Sequence, residues 1–301
     1  MSPEFPIRET FRGRFLNVLA AKDEIFHLRN YSRQQASGLH VLDSRKDFRV
    51  LAKDAADLEK VLKPGTVDYI FTDPPYGAFI SYLDLSILWN HWLGFPVSAD
   101  AHGRETIVGG ECALTEAHYK DSLARSIRAC LRLLRPDRWF SVVFQHWDVS
   151  YFATILETAS EGGAELKAAI TQTGDVIWSM HKKKNSASVL AGEMILTFYK
   201  PAKTRKTLAA ARPQPGEEPA LVLENVFDAC LNNGTQSFTS EALFNRLIVE
   251  LWHRRALNCL TLGRREFVHQ LQQRGWGYNS HTHRWNKGEH ESSSEREPSL
   301  F

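Results

Sequence analysis

The chain has 301 residues, 43% of them hydrophobic, and its 37 lysines and arginines against 35 aspartates and glutamates leave a formal net charge of +2. This composition supplies a folded core and excludes disordered, collagen-like and coiled-coil classes, while a charge so near balance neither demands nor forbids a nucleic-acid partner. No run approaches the ~18 apolar residues of a membrane span, and the start, Met1-Ser2-Pro3-Glu4-Phe5, has neither the basic head nor the apolar core of a secretion signal, so a cytoplasmic location is expected.

Apolar residues at Phe11, Phe15, Leu16, Val18, Leu19, Ile25, Phe26 and Leu28 recur at three- and four-residue spacing behind Thr10, which predicts a helix over residues 10–33. Residues 48–52 and 66–71 are short β-rich runs on either side of an acidic helical segment, 55–62, and the Pro64-Gly65 breaker. An aromatic-rich helix is predicted over 80–93, carrying Tyr82, Asp84, Ser86, Trp89, His91 and Trp92, with most of its aromatics expected in the core. A helix over 115–134 feeds through Arg135-Pro136-Asp137 into Trp139-Phe140-Ser141-Val142-Val143-Phe144, a continuous apolar run suited to a strand buried on both faces. A helix over 151–160 precedes strand candidates at 166–171, 176–180 and 194–199, the last two able to pair as a hairpin around Lys182-Lys183-Lys184-Asn185.

Strands alternating with helices argue for an α/β domain over residues 1–200, doubly wound on a mainly parallel sheet with an antiparallel C-terminal hairpin. Residues 201–220 read as a linker, with four prolines between 201 and 219 and no apolar period. Residues 221–286 hold three helix candidates, at 221–231, 240–260 and 264–274, and an aromatic-basic hairpin candidate from Trp276-Gly277-Tyr278 to Arg284-Trp285. A winged helix fits this pattern, as do other small helical domains. Arg254, Arg255, Arg264, Arg265, Arg274 and Arg284 make the unit basic, which suits either DNA positioning or ordinary solvated helix faces. The polar tail, 287–301, is expected to be disordered.

Thr72-Asp73-Pro74-Pro75-Tyr76-Gly77 follows directly on a predicted strand, which puts it at the carboxyl edge of the sheet, where open α/β folds bind ligands. Two prolines fix φ and leave stiff, donor-free backbone carbonyls, so acceptors can be aimed at one small group without an ordering cost when it arrives. An exocyclic amine on a nucleobase needs such acceptors, because its lone pair is delocalised into the ring. Asp73 and the Pro74 carbonyl could hold its hydrogens and drain the positive charge that develops when the nitrogen attacks a sulfonium methyl. Tyr76 offers a flat face for an extruded base.

These residues resemble the catalytic motif of S-adenosylmethionine-dependent amino methyltransferases that modify adenine N6 or cytosine N4 in DNA, and the form beginning with Asp is more similar to the adenine enzymes. Val67-Asp68-Tyr69-Ile70-Phe71 resembles the family's preceding strand. Ile177-Trp178 with Lys182, and Glu193-Met194-Ile195-Leu196-Thr197-Phe198, resemble its last two strands, so the likeness spans roughly residues 50–200. It implies a Rossmann-like methyltransferase fold, S-adenosylmethionine as cofactor, DNA as partner and a place in DNA methylation or restriction-modification. Asp73, Pro74, Pro75 and Tyr76 would be catalytic; Asp54, Ala55, Thr72 and Asp73 would touch cofactor, Lys53-Asp54-Ala55 standing where relatives carry Gly-Asp-Ala. Gly77, Tyr82 and Asp84 would line the substrate side, and Lys182 and Lys183 could bind phosphate or form a solvated hairpin tip.

The family's glycine-rich cofactor turn is missing. Gly13, Gly38 and Gly65 are the only glycines before the catalytic strand, and none forms a Gly-x-Gly after a strand. A split or shortened enzyme whose missing strand and turn come from a second polypeptide is the favoured explanation; binding through another loop and loss of catalysis are the others. The competing activities are an RNA guanine-N2 methyltransferase and a noncatalytic DNA-binding subunit of a modification system. Gln145-His146-Trp147 ends a strand on the same sheet edge as Asp73, His146 fitting either a structural role or contact with cofactor or substrate. The cysteines, Cys112, Cys130, Cys230 and Cys259, lack C-x-x-C spacing, and His281-Thr282-His283 has no second ligand pair, so no metal site and no disulfide framework are predicted.

Overall fold

A computed structural model describes residues 51, 53–95, 97–172, 193–202, 219–231, 237–259, 262–279 and 282–288. The helix expected over 10–33, the strand candidate 176–180, Lys182, Lys183 and nearly all of the tail lie outside the described residues, as does most of the 201–220 segment. Residues 54–301 group as one compact unit, distinct from 1–53.

A four-stranded sheet is built from β1 (Val67–Thr72), β2 (Leu134–Phe144), β3 (Glu165–Thr171) and β4 (Met194–Lys200), in the order β1-β2-β4-β3. β1 and β2 are parallel, with Phe71 opposite Ser141 and Thr72 opposite Val142. β4 runs antiparallel to both β2 and β3. Parallel pairing is thus confined to β1 and β2 among the described strands, rather than dominating the sheet. Both edges of β4 are occupied, by β2 and β3, and the segment 176–180 expected to pair with it lies outside the described residues.

Residues 140–144 of β2 are buried on both faces, whereas Trp139 at the head of the apolar run is 43% exposed. Phe140, Val142 and Phe144 are fully enclosed, and Ser141 and Val143 nearly so, the burial that the apolar run in this strand predicts. Ser141 is satisfied inside the sheet, accepting from the Tyr69 hydroxyl at 3.1 Å and sharing a hydrogen bond with Thr197 Oγ1 at 3.0 Å, since a buried hydroxyl without partners would be costly.

The helices of this region are α1 (Tyr82–Trp92), α2 (Ala99–Gly103), α3 (Glu116–Leu133) and α4 (Val149–Glu161), and residues Ala55–Lys60 form a 3-10 helix. α3 begins at Thr115, whose hydroxyl accepts from the His118 amide at 3.2 Å. Tyr119, Leu123, Ile127, Cys130 and Leu131 make its buried stripe. Its carboxyl end is closed by Lys200 Nζ, which donates to the carbonyls of Leu131 and Leu134 at 2.6 and 2.7 Å.

α1 departs from expectation, for none of its residues is buried. Tyr82, Leu85, Ile87, Leu88, Trp89 and Trp92 are all more than half exposed. Apolar residues lie around its whole circumference, so the helix has no single apolar stripe by which one face could be chosen for the core.

Three further helices, α5 (Pro219–Leu231), α6 (Ser240–His253) and α7 (Arg264–Gln273), accompany an antiparallel sheet of β5 (Ser237–Phe238), β6 (Trp276–Asn279) and β7 (Arg284–Lys287), in the order β5-β7-β6. Their core is continuous with that of the larger sheet. Trp147 packs against Phe244 and Phe267 with ring centroids 5.0 and 5.4 Å away, Asn245 Nδ2 donates to Thr171 Oγ1 at 3.0 Å, and the Val149 amide donates to the Leu262 carbonyl.

Candidate active site

β1 ends at Thr72, and the chain then turns through Asp73-Pro74-Pro75-Tyr76 at the carboxyl end of a parallel strand pair. The structure brings this motif into a tight cluster. The Tyr76 hydroxyl donates to Asp73 Oδ1 at 2.6 Å, while the Tyr76 ring stands edge-on to Phe144 with centroids 5.4 Å apart. Burial first, and the bond to Asp73 second, raise the pKa of the Tyr76 hydroxyl far above the ordinary phenol value, so it stays a donor. Asp73 is exposed.

Below the prolines, the fully buried Tyr119 donates its hydroxyl to the Pro75 carbonyl. Burial raises the pKa of Tyr119 as well, again keeping the proton in place. Two acceptors of the motif are therefore committed internally, Asp73 Oδ1 and Pro75 O. Asp73 Oδ2 and the Pro74 carbonyl receive no hydrogen bond among the described residues.

Gly77 is the one residue of the segment that is buried, and its φ of +63° is a backbone conformation suited to glycine. A Cβ there would come within 3.0 Å of His146 Nε2 and 3.5 Å of Tyr151 Cε1. The glycine therefore lets the loop close onto the stacked His146 and Tyr151 rings, whose centroids are 3.9 Å apart. His146 Nδ1 accepts from the Asp148 amide at 3.0 Å, which places the imidazole proton on Nε2, and burial lowers its pKa. Burial likewise pushes Tyr151 up to about 12. The Gly77 carbonyl accepts from the Val108 amide at 3.1 Å, joining the loop to residues 105–111.

The remaining predicted positions are placed as follows. Thr72 is half-buried and in register with Val142. Asp54 caps the 3-10 helix, its carboxylate accepting from the Ala56 amide at 2.9 Å, and Ala55 is exposed. Tyr82 is exposed, and Asp84 is half-buried with Oδ2 accepting from the Ser81 hydroxyl. Arg274 is engaged within the helical region, bonding Asp228 at 2.8 Å and the Glu224 and Gln270 carbonyls, and Arg284 bonds Ser237.

Sequence reasoning missed Tyr119 and the closure of Gly77 on His146. Tyr119 lies 44 positions from the carbonyl it holds, and only its place in the apolar stripe of α3 signalled that it points inward.

No family model matches this chain, and no curated protein matches it. Among solved structures it is similar to methyltransferases. The cytosine-N4-specific PvuII DNA methyltransferase is 11% identical, covering 73% of this chain and 90% of that one, with a TM-score of 0.33. The M1.HpyAVI complex with S-adenosylmethionine is 14% identical, covering 58% and 74%, with a TM-score of 0.26. A protein from Thermus thermophilus, described as a DNA modification methylase and complexed with S-adenosyl-L-methionine, is 15% identical, covering 66% and 64%, with a TM-score of 0.29. The chain spans less than two thirds of the length of the Thermus structures. Superpositions this loose leave the function of the chain to be argued from the site itself.

Proposed function

We propose that the chain carries the target-base half of a DNA methyltransferase that moves a methyl group from S-adenosylmethionine to the N6 amine of adenine. The observation that carries this reading is the division of acceptors at the motif. Tyr76 and Tyr119 occupy Asp73 Oδ1 and Pro75 O, while Asp73 Oδ2 and Pro74 O stay available on a rigid turn, as an amine with two hydrogens requires. Asp73 Oδ2 and the Pro74 carbonyl would hold the two hydrogens of the amine, leaving its lone pair free to face a methyl donor, and the Asp73 carboxylate would be placed to take up the proton that the methylated amine gives up. S-adenosylmethionine supplies an electrophilic methyl when bound, and Asp54, Ala55, Thr72 and Asp73 are the residues proposed to contact it.

β1 has a paired neighbour on one side only among the described strands, which is where a cofactor-binding strand from a second polypeptide would add. The three helices with strand order β5-β7-β6 fit a winged helix, in which α7 presents Arg264, Arg265, His269, Gln272 and Gln273 on its exposed side to DNA.

The test is to express the chain with its neighbouring open reading frame in cells free of DNA methylation, digest the DNA and RNA to nucleosides, and identify the products by mass. N6-methyladenine is expected, and Asp73→Ala should abolish it with little loss of DNA binding. N2-methylguanine in RNA would instead assign the guanine enzyme. A lack of any methylated nucleoside, with Asp73→Ala altering DNA binding alone, would make the chain a binding subunit.

A further inference from the structure

A second cluster of chemistry-bearing side chains lies beside the Asp73 motif, and Asp84, expected on the substrate side, belongs to it. His102 on α2, Asp84 in the first turn of α1 and Glu111 in the following loop each direct one ligand atom to a common point, all three atoms lying within 4.8 Å of one another. His102 Nε2 is 3.3 Å from Glu111 Oε2 and 3.9 Å from Asp84 Oδ1. Ligands about 2.1 Å from a tetrahedral ion stand roughly 3.4 Å apart, so the spacing is of the right order for one cation held between them.

The imidazole is the group that decides what belongs there. Its side chain is 12% exposed, and Nε2 is buried without a hydrogen-bond partner among the described residues, since Glu111 lies near it but not in line for a hydrogen bond. The other ring nitrogen, Nδ1, is 3.3 Å from the Ser98 carbonyl. A carbonyl can only accept, so in the neutral imidazole Nδ1 carries the proton and Nε2 presents a lone pair. A protein carbonyl behind the distal nitrogen is also how metal-binding histidines are oriented. In that form three lone-pair donors, two of them anionic, face one another across a partly buried gap. A divalent cation cancels the two carboxylate charges and supplies the partner that Nε2 lacks.

We propose that Asp84, His102 and Glu111 form a divalent-cation site of the nitrogen-plus-two-oxygen type, suited to Zn2+ or a similar first-row ion. The neighbouring bonds indicate what binding would do. Ser81 already fixes the second oxygen of Asp84, Glu105 Oε1 accepts from the Leu83 amide at 3.0 Å, and Val108 holds the Gly77 carbonyl. An ion at this point clamps the start of α1, α2 and residues 105–111 together, and so stiffens one wall of the Asp73 site without touching the reacting atoms. This inference stands on its own ligands and does not depend on the methyltransferase reading. It differs from the sequence-based expectation of no metal site, because the three ligands lie 18 and 9 positions apart and form no short spacing.

Equilibrium dialysis of the full chain against Zn2+ tests it, with Glu111→Gln and His102→Gln as paired variants and Co2+ absorption as a second readout. The expected result is that Glu111→Gln weakens Zn2+ binding by about tenfold or more and that His102→Gln removes the same equivalent. The Co2+ spectrum should lack the intense thiolate band that capture by cysteines would give. Glu111 is largely exposed, so its variant should fold even where the His102 variant does not. Failure of the wild-type chain to bind, undiminished binding by Glu111→Gln, or a thiolate band that survives in both variants would each overturn the site.

Discussion

His146 occupies the seam between the motif loop and α4, with Gly77 on one side, Tyr151 stacked on the other and the Asp148 amide bonded to Nδ1. Burial lowers its pKa, so the folded protein binds fewer protons at this site than the unfolded chain does between the two pKa values. Its contribution is fully present above the ordinary value of about 6.5 and is lost as pH falls toward the depressed one, at no more than about 1.4 kcal/mol per pH unit. Chemical denaturation of the wild type and of His146→Gln at pH 7, 6 and 5 should therefore show the wild type losing stability relative to the variant on the acid side. Parallel loss in both would contradict the assignment. At this scale the sequence was informative where chemistry is contiguous. Asp73, Pro74, Pro75 and Tyr76 are neighbours along the chain, and the strand before them fixes the sheet edge on which they sit. It was silent where partners are remote, as with Tyr119 and Pro75, or Asp84, His102 and Glu111, because no periodicity encodes which distant hydroxyl or carboxylate a fold will bring close.

Among the elements, α3 and β2 announce themselves through one-sided apolar spacing and an unbroken apolar run, and the stripe of α3 and residues 140–144 of β2 are buried accordingly. α1 shows the limit of the same reasoning, since apolar content identifies a helix without saying whether anything packs on it. Leu85 is 69% exposed, and replacing it by Gln should change the stability of the isolated chain by no more than about 0.5 kcal/mol, measured by urea titration. A loss of several kcal/mol would mean that this helix is in fact part of the core. The antiparallel placement of β4 was also only half legible. Its composition marks a strand, but nothing in that composition names β3 as the neighbour on its outer edge.

At the level of the whole molecule, helices α3 to α7 and both sheets share one continuous apolar interior. Phe244 on α6 is fully buried and touches Phe152 of α4 as well as Trp147 and Phe267. Phe244→Ala should cost about 3–5 kcal/mol and shift a single transition seen alike by far-ultraviolet circular dichroism and by near-ultraviolet signals. Two separated transitions would show that the helical part unfolds independently. A proline-rich stretch marks where the chain changes composition, but it holds no information about whether the pieces on either side bury surface against each other.

Two pairs among the eight tryptophans have opposite surroundings. Trp89 and Trp92 lie against each other on the open side of α1, 58% and 66% exposed, whereas Trp276 and Trp285 are enclosed at 4% each. Their light emission divides accordingly, the open pair red-shifted and readily reached by acrylamide, the enclosed pair blue-shifted and shielded. With the other four of its eight tryptophans replaced by phenylalanine, the protein would carry two intrinsic optical probes without chemical labelling: one responds to whatever covers the open side of α1, and the other stays quiet until the interior opens.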